Sequence, residues 1–386
     1  MKLSEICEVN PKGLVLDSNT NVSFVAMPDV SEDGKISTSD IRKYHEVKKG
    51  YTSFIDGDVL LAKITPCMEN GKGALATGLI NGIGFGSTEF HVLRPLYGKA
   101  DGKWLYYFTV WPGFRKDAER NMTGSAGQKR VPKDFLEKYD LFVPPLEMQR
   151  LQVQQLDSIK GLIDLRKSQL SYCDHLIKAR FVEMFGDPAT NPNHWIETTI
   201  GRECYYIKDG PHKSLPDIGK DNGGHPFISV RNIVNHTIDF TTARYVSDED
   251  YLDARKKCCP EKGDMLYSKG GTTGIAKLID VDIEFANWVH LAVLKYDHNE
   301  LDGIFFENML NSEYCYDQSQ RLTKGIANKD LVLSAMAKIK MYKPPINLQT
   351  QFATFVAQVN KTKSVIQKSL DETQILFDSL MQQYFG

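Results

Sequence analysis

The sequence predicts a mixed α/β protein made by internal duplication: two globular units of short strands and helices, each followed by a long coiled-coil helix. Three observations carry this. From Ile346 to Phe385 no proline or glycine interrupts the chain, and Val356, Val359, Ile366, Leu370, Phe377, Leu380 and Tyr384 share one alternating 4,3 register that Lys363 and Thr373 complete. Such spacing lays a single apolar stripe along a helix, the seam of a coiled coil. Two hundred residues earlier Leu156, Ile159, Leu170, Ile177 and Met184 stand on the same register, with Ile163 in the place of Lys363. The flanks repeat at that offset as well, Pro144-Pro145 against Pro344-Pro345 and Phe185-Gly186 against Phe385-Gly386. Read as a repeat, the chain divides into a unit over 1–145, a helix over 146–186, a unit over 187–345 and a helix over 346–386.

Bulk properties agree. A chain of 386 residues with 41% hydrophobic content can supply a core to each of two units. No run of eighteen apolar residues is present, so a membrane span is not expected. The opening MKLSEICEVNPKG carries charge where a signal peptide needs an apolar core, and the seven cysteines include no C-x-x-C pair. Free thiols in a reducing cytoplasm are expected. A net charge of −2 provides no bulk attraction to nucleic acid, so any DNA contact must come from local basic clusters.

In the first unit, Val22 to Met27 reads as a strand, and the turn Asp56-Gly57-Asp58 leads into the strand Val59 to Ala62. The loop from Lys63 to Gly73 follows, with Lys63, Thr65, Asn70 and Lys72 suited to phosphates or base edges, although on composition alone a solvated turn is the better reading. Phe90 to Leu93 is a strand, and the aromatic run Trp104 to Phe114 is a helix or strand of the core. A second polar loop, Thr123 to Arg130, offers Ser125, Gln128, Lys129 and Arg130 beside small residues that let backbone approach a ligand. Pro144-Pro145 closes the unit, and the first long helix begins at Leu146. Within it Gly161 permits a local bend, while Arg166 and Arg180 interrupt the stripe, either setting register or reaching out to solvent.

The second unit repeats this order. Lys208-Asp209-Gly210-Pro211-His212-Lys213 is a basic turn, and Pro226 to Val230 a strand leading to Arg231. Gly263-Asp264 precedes Met265-Leu266-Tyr267 as Gly57-Asp58 precedes Val59. Then Ser268, Lys269, Thr272 and Thr273 occupy the place of the Lys63 loop, and Gln320 to Gly325, with Arg321 and Lys324, that of the Thr123 loop. Loops that diverge on a repeated scaffold suit two modules with different surfaces.

No catalytic constellation emerges. Gly82-Ile83-Gly84-Phe85-Gly86 imitates a cofactor loop without the strand-then-helix setting, and G-x-x-x-x-G-K-[ST] is absent. Asn191-Pro192-Asn193-His194 departs from the N-P-P-[YF] loop of an adenine methyltransferase at its third position. His45, His91, His212, His225 and His290 are scattered, which suits structural or surface roles, and Glu69 and Glu89 read as solvated carboxylates rather than metal ligands. A nuclease or methyltransferase acting alone would need a metal or cofactor site; a coiled-coil scaffold with no DNA role is the other alternative.

The chain resembles the specificity subunits of type I DNA restriction–modification systems. The likeness rests on Asp56-Gly57-Asp58 followed by LLAKITPCMENGKGA, on VPPLEMQR opening the first helix, and in the second half on IKDGPH, HPFISVRN, KGDMLYSKGGTTGIAKL and KPPINLQTQF. The second helix opening lacks a counterpart of Glu147. The resemblance implies two target-recognition domains, each reading half of a bipartite double-stranded DNA target, and helices that pair antiparallel as a spacer. It further implies two docked methyltransferase subunits carrying S-adenosylmethionine, separate restriction subunits using ATP and Mg, and no catalysis or cofactor on this chain. The polar residues named in the loops and turns above are then the expected DNA contacts.

Overall fold

The structure, a computed structural model, describes residues 1–125, 127–325 and 329–386. It forms two compact units, one of Met1–Lys167 with Lys368–Gly386, the other of Ser168–Gln367. Each contains one globular portion and parts of both long helices, Leu146–Phe185 and Ile346–Phe385.

In the first unit an antiparallel sheet sets Cys7–Val9, Phe90–Pro95, Val59–Ala62 and Gly73–Leu75 side by side in that order. A second sheet has Asn21–Val25 parallel to Ile83–Gly86, with Asp40–Lys43 and Thr52–Ile55 on its edges. The glycine-rich run is therefore a strand, where glycine admits the Phe54 ring over Gly84. The aromatic run resolves into two helices, Gly102–Val110 and Pro112–Arg120, the first capped by the Asp101 carboxylate on the Lys103 and Trp104 N–H groups. Capping pairs two of the four N–H groups that a helix start leaves unsatisfied. The Trp104 indole donates to Gln152 at 2.8 Å, and Asp157 accepts from Tyr107 at 2.6 Å and Lys103 at 2.7 Å.

The second unit repeats the design. Its antiparallel sheet runs Cys204–Asp209, Leu291–Tyr296, Met265–Ser268, Ala276–Leu278, the same order of equivalent strands. His225–Ile228 lies parallel to Ala286–Asn287, as Asn21–Val25 does to Ile83–Gly86. Helices Gly303–Leu310 and Glu313–Leu322 follow, and Asp302 caps the first as Asp101 does its counterpart. The matched turns agree in detail. Gly57 and Gly263 have φ of 93° and 95°, and each following aspartate accepts an N–H from three residues back, Asp58 from Ile55 and Asp264 from Glu261. Each aspartate then holds one cation of the neighbouring strand, Arg94 in a two-bonded fork at 2.7 and 2.8 Å, Lys295 at 2.6 Å.

The 4,3 stripe is the buried one in both helices. In the first unit Leu156 and Ile163 are buried, and Leu156 packs in one core with Phe377, Leu380, Met381 and Tyr384; Gln155 meets Tyr384 and Arg166 meets Ser369, so the segments run antiparallel. In the second unit Asp174 pairs with Lys363 and Phe181 meets Phe352 edge-on, again antiparallel. Arg166 sets register, since it donates across the pair to the Ser369 carbonyl at 2.8 Å. Arg180 instead lays its guanidinium beside Phe355 and pairs with Glu183 at 2.8 Å on its own helix. Gly161 lies inside the single helical span Leu146–Phe185, with open space where a side chain would stand.

His91, on the strand Phe90–Pro95 of the first sheet, is buried, its Nε2 donating to the Val131 carbonyl at 2.8 Å and its Nδ1 2.9 Å from the Asn10 amide. Burial lowers its pKa from 6.5 to about 4. The unfolded chain takes up this proton first, so the stabilisation is complete above pH 6.5 and is lost as the pH falls to about 4. The loss is roughly 3 kcal/mol. His91→Gln is expected to flatten the acid limb of a stability–pH curve over that window; an unchanged slope would show that His91 protonates within the fold.

Candidate nucleic-acid interface

Folding brings the two polar loops of each unit together. In the first, Thr65 N–H donates to the Lys129 carbonyl at 3.0 Å and Val131 N–H to that of Lys63 at 2.9 Å, while Thr123 and Arg130 exchange both backbone bonds. In the second, Gly271 N–H meets the Lys329 carbonyl at 3.1 Å and Leu331 N–H that of Lys269 at 2.7 Å, with Lys324 and Asp330 exchanging bonds. Ile326, Ala327 and Asn328 lie outside the described residues, as does Ala126 of the first loop.

Side chains sort the expected contacts into three groups. Asn70, Ser125, Gln128 and Lys129 are exposed in the first unit, and Lys208, His212, Lys213, Arg231, Thr272, Arg321 and Lys324 in the second. Some of these have partners: Lys208 lies over Tyr206, Lys213 is 3.7 Å from Asp250, His212 is 4.0 Å from Asp209, and Arg231 donates to the Thr242 carbonyl at 2.7 Å. Lys63, Thr65, Lys72 and Arg130 are half-buried. Among these, Lys72 donates to the Met27 carbonyl at 3.2 Å, Thr65 to Glu69 at 2.7 Å, and Arg130 forks onto Glu89 with two bonds of 2.9 Å. That hydrogen bond from Arg130 is what chiefly lowers the Glu89 pKa.

Three residues leave the surface altogether. Ser268, Lys269 and Thr273 are buried where a solvated loop is expected from the sequence, Ser268 as the last residue of the strand Met265–Ser268 and the other two beyond its end. The Ser268 hydroxyl accepts from Ile275 N–H at 2.8 Å, Lys269 bridges Asp330 at 3.0 Å and Asp209 at 3.4 Å, and Thr273 bonds Thr323 and Gln320. Arg321 belongs to the last turn of a helix rather than to a loop, with Asp317 one turn away. Glu89 is likewise an ion-pair partner and no solvated carboxylate.

Beside the first loop pair, Glu69, Lys116, Glu119, Arg120, Met122 and Lys129 line a depression of about 380 Å³. Arg120 is a basic flank of the Thr123 loop in the sequence, but nothing local shows that the helix Pro112–Arg120 brings it and Lys116 beside Lys129. The same holds for Trp288, His290 and Lys329, which come together in the second unit. Among the described residues no cluster of histidine, cysteine and carboxylate groups suits a metal ion, and all seven cysteines are unpaired. No described helix is long and apolar enough to cross a membrane.

Comparison with known proteins places this architecture. A family model described as the type I restriction modification DNA specificity domain matches residues 1–171 and 211–373. The EcoAI and EcoEI type I restriction enzyme specificity subunits of Escherichia coli are each 44% identical over 169 residues, 43% of this chain but only 28% of the relative's length. Two solved structures share the fold across 100% of the chain at 16% identity. One, described for complex assembly and conformational transition of the type I R-M system, has a TM-score of 0.59 with 96% of that chain covered. The other, the type I restriction–modification S subunit from M. genitalium, has 0.56 with 95% covered. With both repeats matched by one model, the chain belongs to the type I restriction modification DNA specificity family.

Proposed function

We propose that this chain is the non-catalytic sequence-reading subunit of a type I restriction–modification complex, each globular unit reading one half of a bipartite duplex target. The observation that carries this is a substitution of chemistry at fixed backbone positions. Ser87 N–H bonds Val25 as Trp288 N–H bonds Ile228, and Lys63 N–H bonds Glu89 as Lys269 N–H bonds His290. Equivalent sites therefore hold Ser87, Glu89 and Arg130 in one unit and Trp288, His290 and Asp330 in the other. A frame this constant with faces this different is suited to two base sequences, since phosphate contacts position a module and base-edge contacts specify its site. Methyltransferase subunits with S-adenosylmethionine, and restriction subunits using ATP and Mg, supply the chemistry in this reading, within the cytoplasm.

Exchange of residues 1–145 for the corresponding unit of a relative tests it. One half of the methylated motif is expected to change while the other stays; a change in both halves would contradict independent reading. Affinity has its own check. Lys129→Ala and Lys324→Ala, at exposed loop positions, are each expected to weaken binding and reduce the salt slope by about one. Unchanged affinity and slope in both would take these loops out of the interface.

The long helices then act as the spacer. Four residues inserted at matched points lengthen each helix by about 6 Å and keep the stripe nearly in phase. The unspecified gap is expected to widen by about one or two base pairs, at roughly 3.4 Å each, with the flanking bases unchanged. An active insertion variant with the original gap would show that something else measures the distance.

A further inference from the structure

In the second unit an open cleft of about 590 Å³ lies beside the paired loops, lined by Ser229, Arg231, Gly271, Trp288, His290 and Lys329 among others. Two polar atoms of its wall are shut off from water with no hydrogen-bond partner among the described residues, the indole N–H of Trp288 and Nδ1 of His290. Native folds leave few such atoms, because a buried donor or acceptor without a partner loses its bond to water for nothing in return. The His290 ring is seated by its neighbours. Trp288 meets it edge-on with ring centres 4.7 Å apart, and Gly270 packs so closely against Nδ1 that even a methyl group there would collide with the ring. The opposite edge of the half-buried imidazole is left for the cleft.

An imidazole whose Nδ1 makes no bond takes whichever tautomer its Nε2 partner demands, so this edge can accept or donate. Base edges in the major groove present both kinds of group. At the rim, Arg231 and Lys329 are exposed cations fit for the flanking phosphates. In the first unit the equivalent of His290 is Glu89, already forked to Arg130, so this opening is a property of the second unit. Resting on the DNA-reading function above, we propose that this cleft is the base-reading pocket of the second unit, with His290 as its specificity-determining residue. Trp288 and Gly270 are its positioning residues, and the ligand is the edge of one base pair.

The test uses the assembled complex and duplexes varied one base pair at a time. His290→Ala is expected to lose roughly 10- to 100-fold of the discrimination at a single position of the second half-site, leaving the other positions as they were. Gly270→Ala, which keeps the imidazole but displaces it, is expected to relax that same position. His290→Gln, which retains a donor and an acceptor, should preserve part of the preference and serves as the decisive variant if His290→Ala does not fold. Undiminished selectivity at the other positions of the second half-site in the same assay shows that a variant is folded. A uniform loss of affinity with unchanged preferences, or a change confined to the first half-site, overturns the pocket. If the exchange of residues 1–145 alters both half-sites, the two-unit reading fails as a whole; if it alters one and His290→Ala alters none, only the pocket fails.

Discussion

Phe352→Ala is expected to destabilise the second unit by about 3–5 kcal/mol, the range for truncating a fully buried phenylalanine. Phe352 is 0% exposed and stands edge-on to two rings of the first long helix, Phe181 at 5.5 Å and Phe185 at 5.6 Å. Phe305 completes the cluster, stacked on Phe181 at 5.8 Å and edge-on to Phe185 at 4.9 Å. Removing the ring forfeits its transfer energy and leaves a cavity that three aromatic neighbours on two other helices cannot close. Hydrogen exchange of the Leu291–Tyr296 strand amides reads the effect where a single melting temperature would not, because a chain of two units need not unfold in one step. A loss below about 1 kcal/mol would mean that the site collapses around the gap.

The second large effect is expected at a pair of buried glutamines. Gln149 and Gln349 are both 0% exposed, one turn into the two long helices. Gln149 accepts from Asp101 N–H at 2.8 Å and donates to the carbonyls of Pro144 at 2.8 Å and Lys99 at 3.1 Å. Gln349 accepts from Asp302 N–H at 2.9 Å and donates to Pro344 at 2.7 Å and Glu300 at 3.4 Å. Each thereby ties the start of a long helix to the capping aspartate of a short one. Gln349→Leu keeps the bulk but strands a buried N–H and buried carbonyls, a cost of about 2–4 kcal/mol. Gln349→Glu retains the acceptor and loses the donor while ionised. Its pKa is expected to rise in the folded state, so its stability should recover as the pH is lowered and fall as the pH is raised. Urea unfolding at pH 5 and pH 8 checks both; a Gln349→Leu variant as stable as the parent would show that water satisfies the freed groups.

The duplication, the helix bounds and the seam were legible because they depend on local periodicity. A 4,3 stripe forms whenever the residues are helical, and proline and glycine at matched offsets mark where each helix starts and stops. The turn before Val59 and Met265 was legible for the same reason, since a glycine at φ near 95° is a local requirement. The accessibility of a polar side chain is not local. Lys269 and Arg130 both read as DNA-facing cations, yet one is buried between Asp209 and Asp330 and the other is forked onto Glu89, partners 41 to 61 residues away. A lysine, whether solvated or paired, leaves the same mark in the sequence; only the folded strands decide which carboxylate stands beside it. The Trp288–His290 wall and the pairing of the two loops were hidden likewise. They arise from backbone bonds between segments remote in the chain, formed once the sheet has set the register.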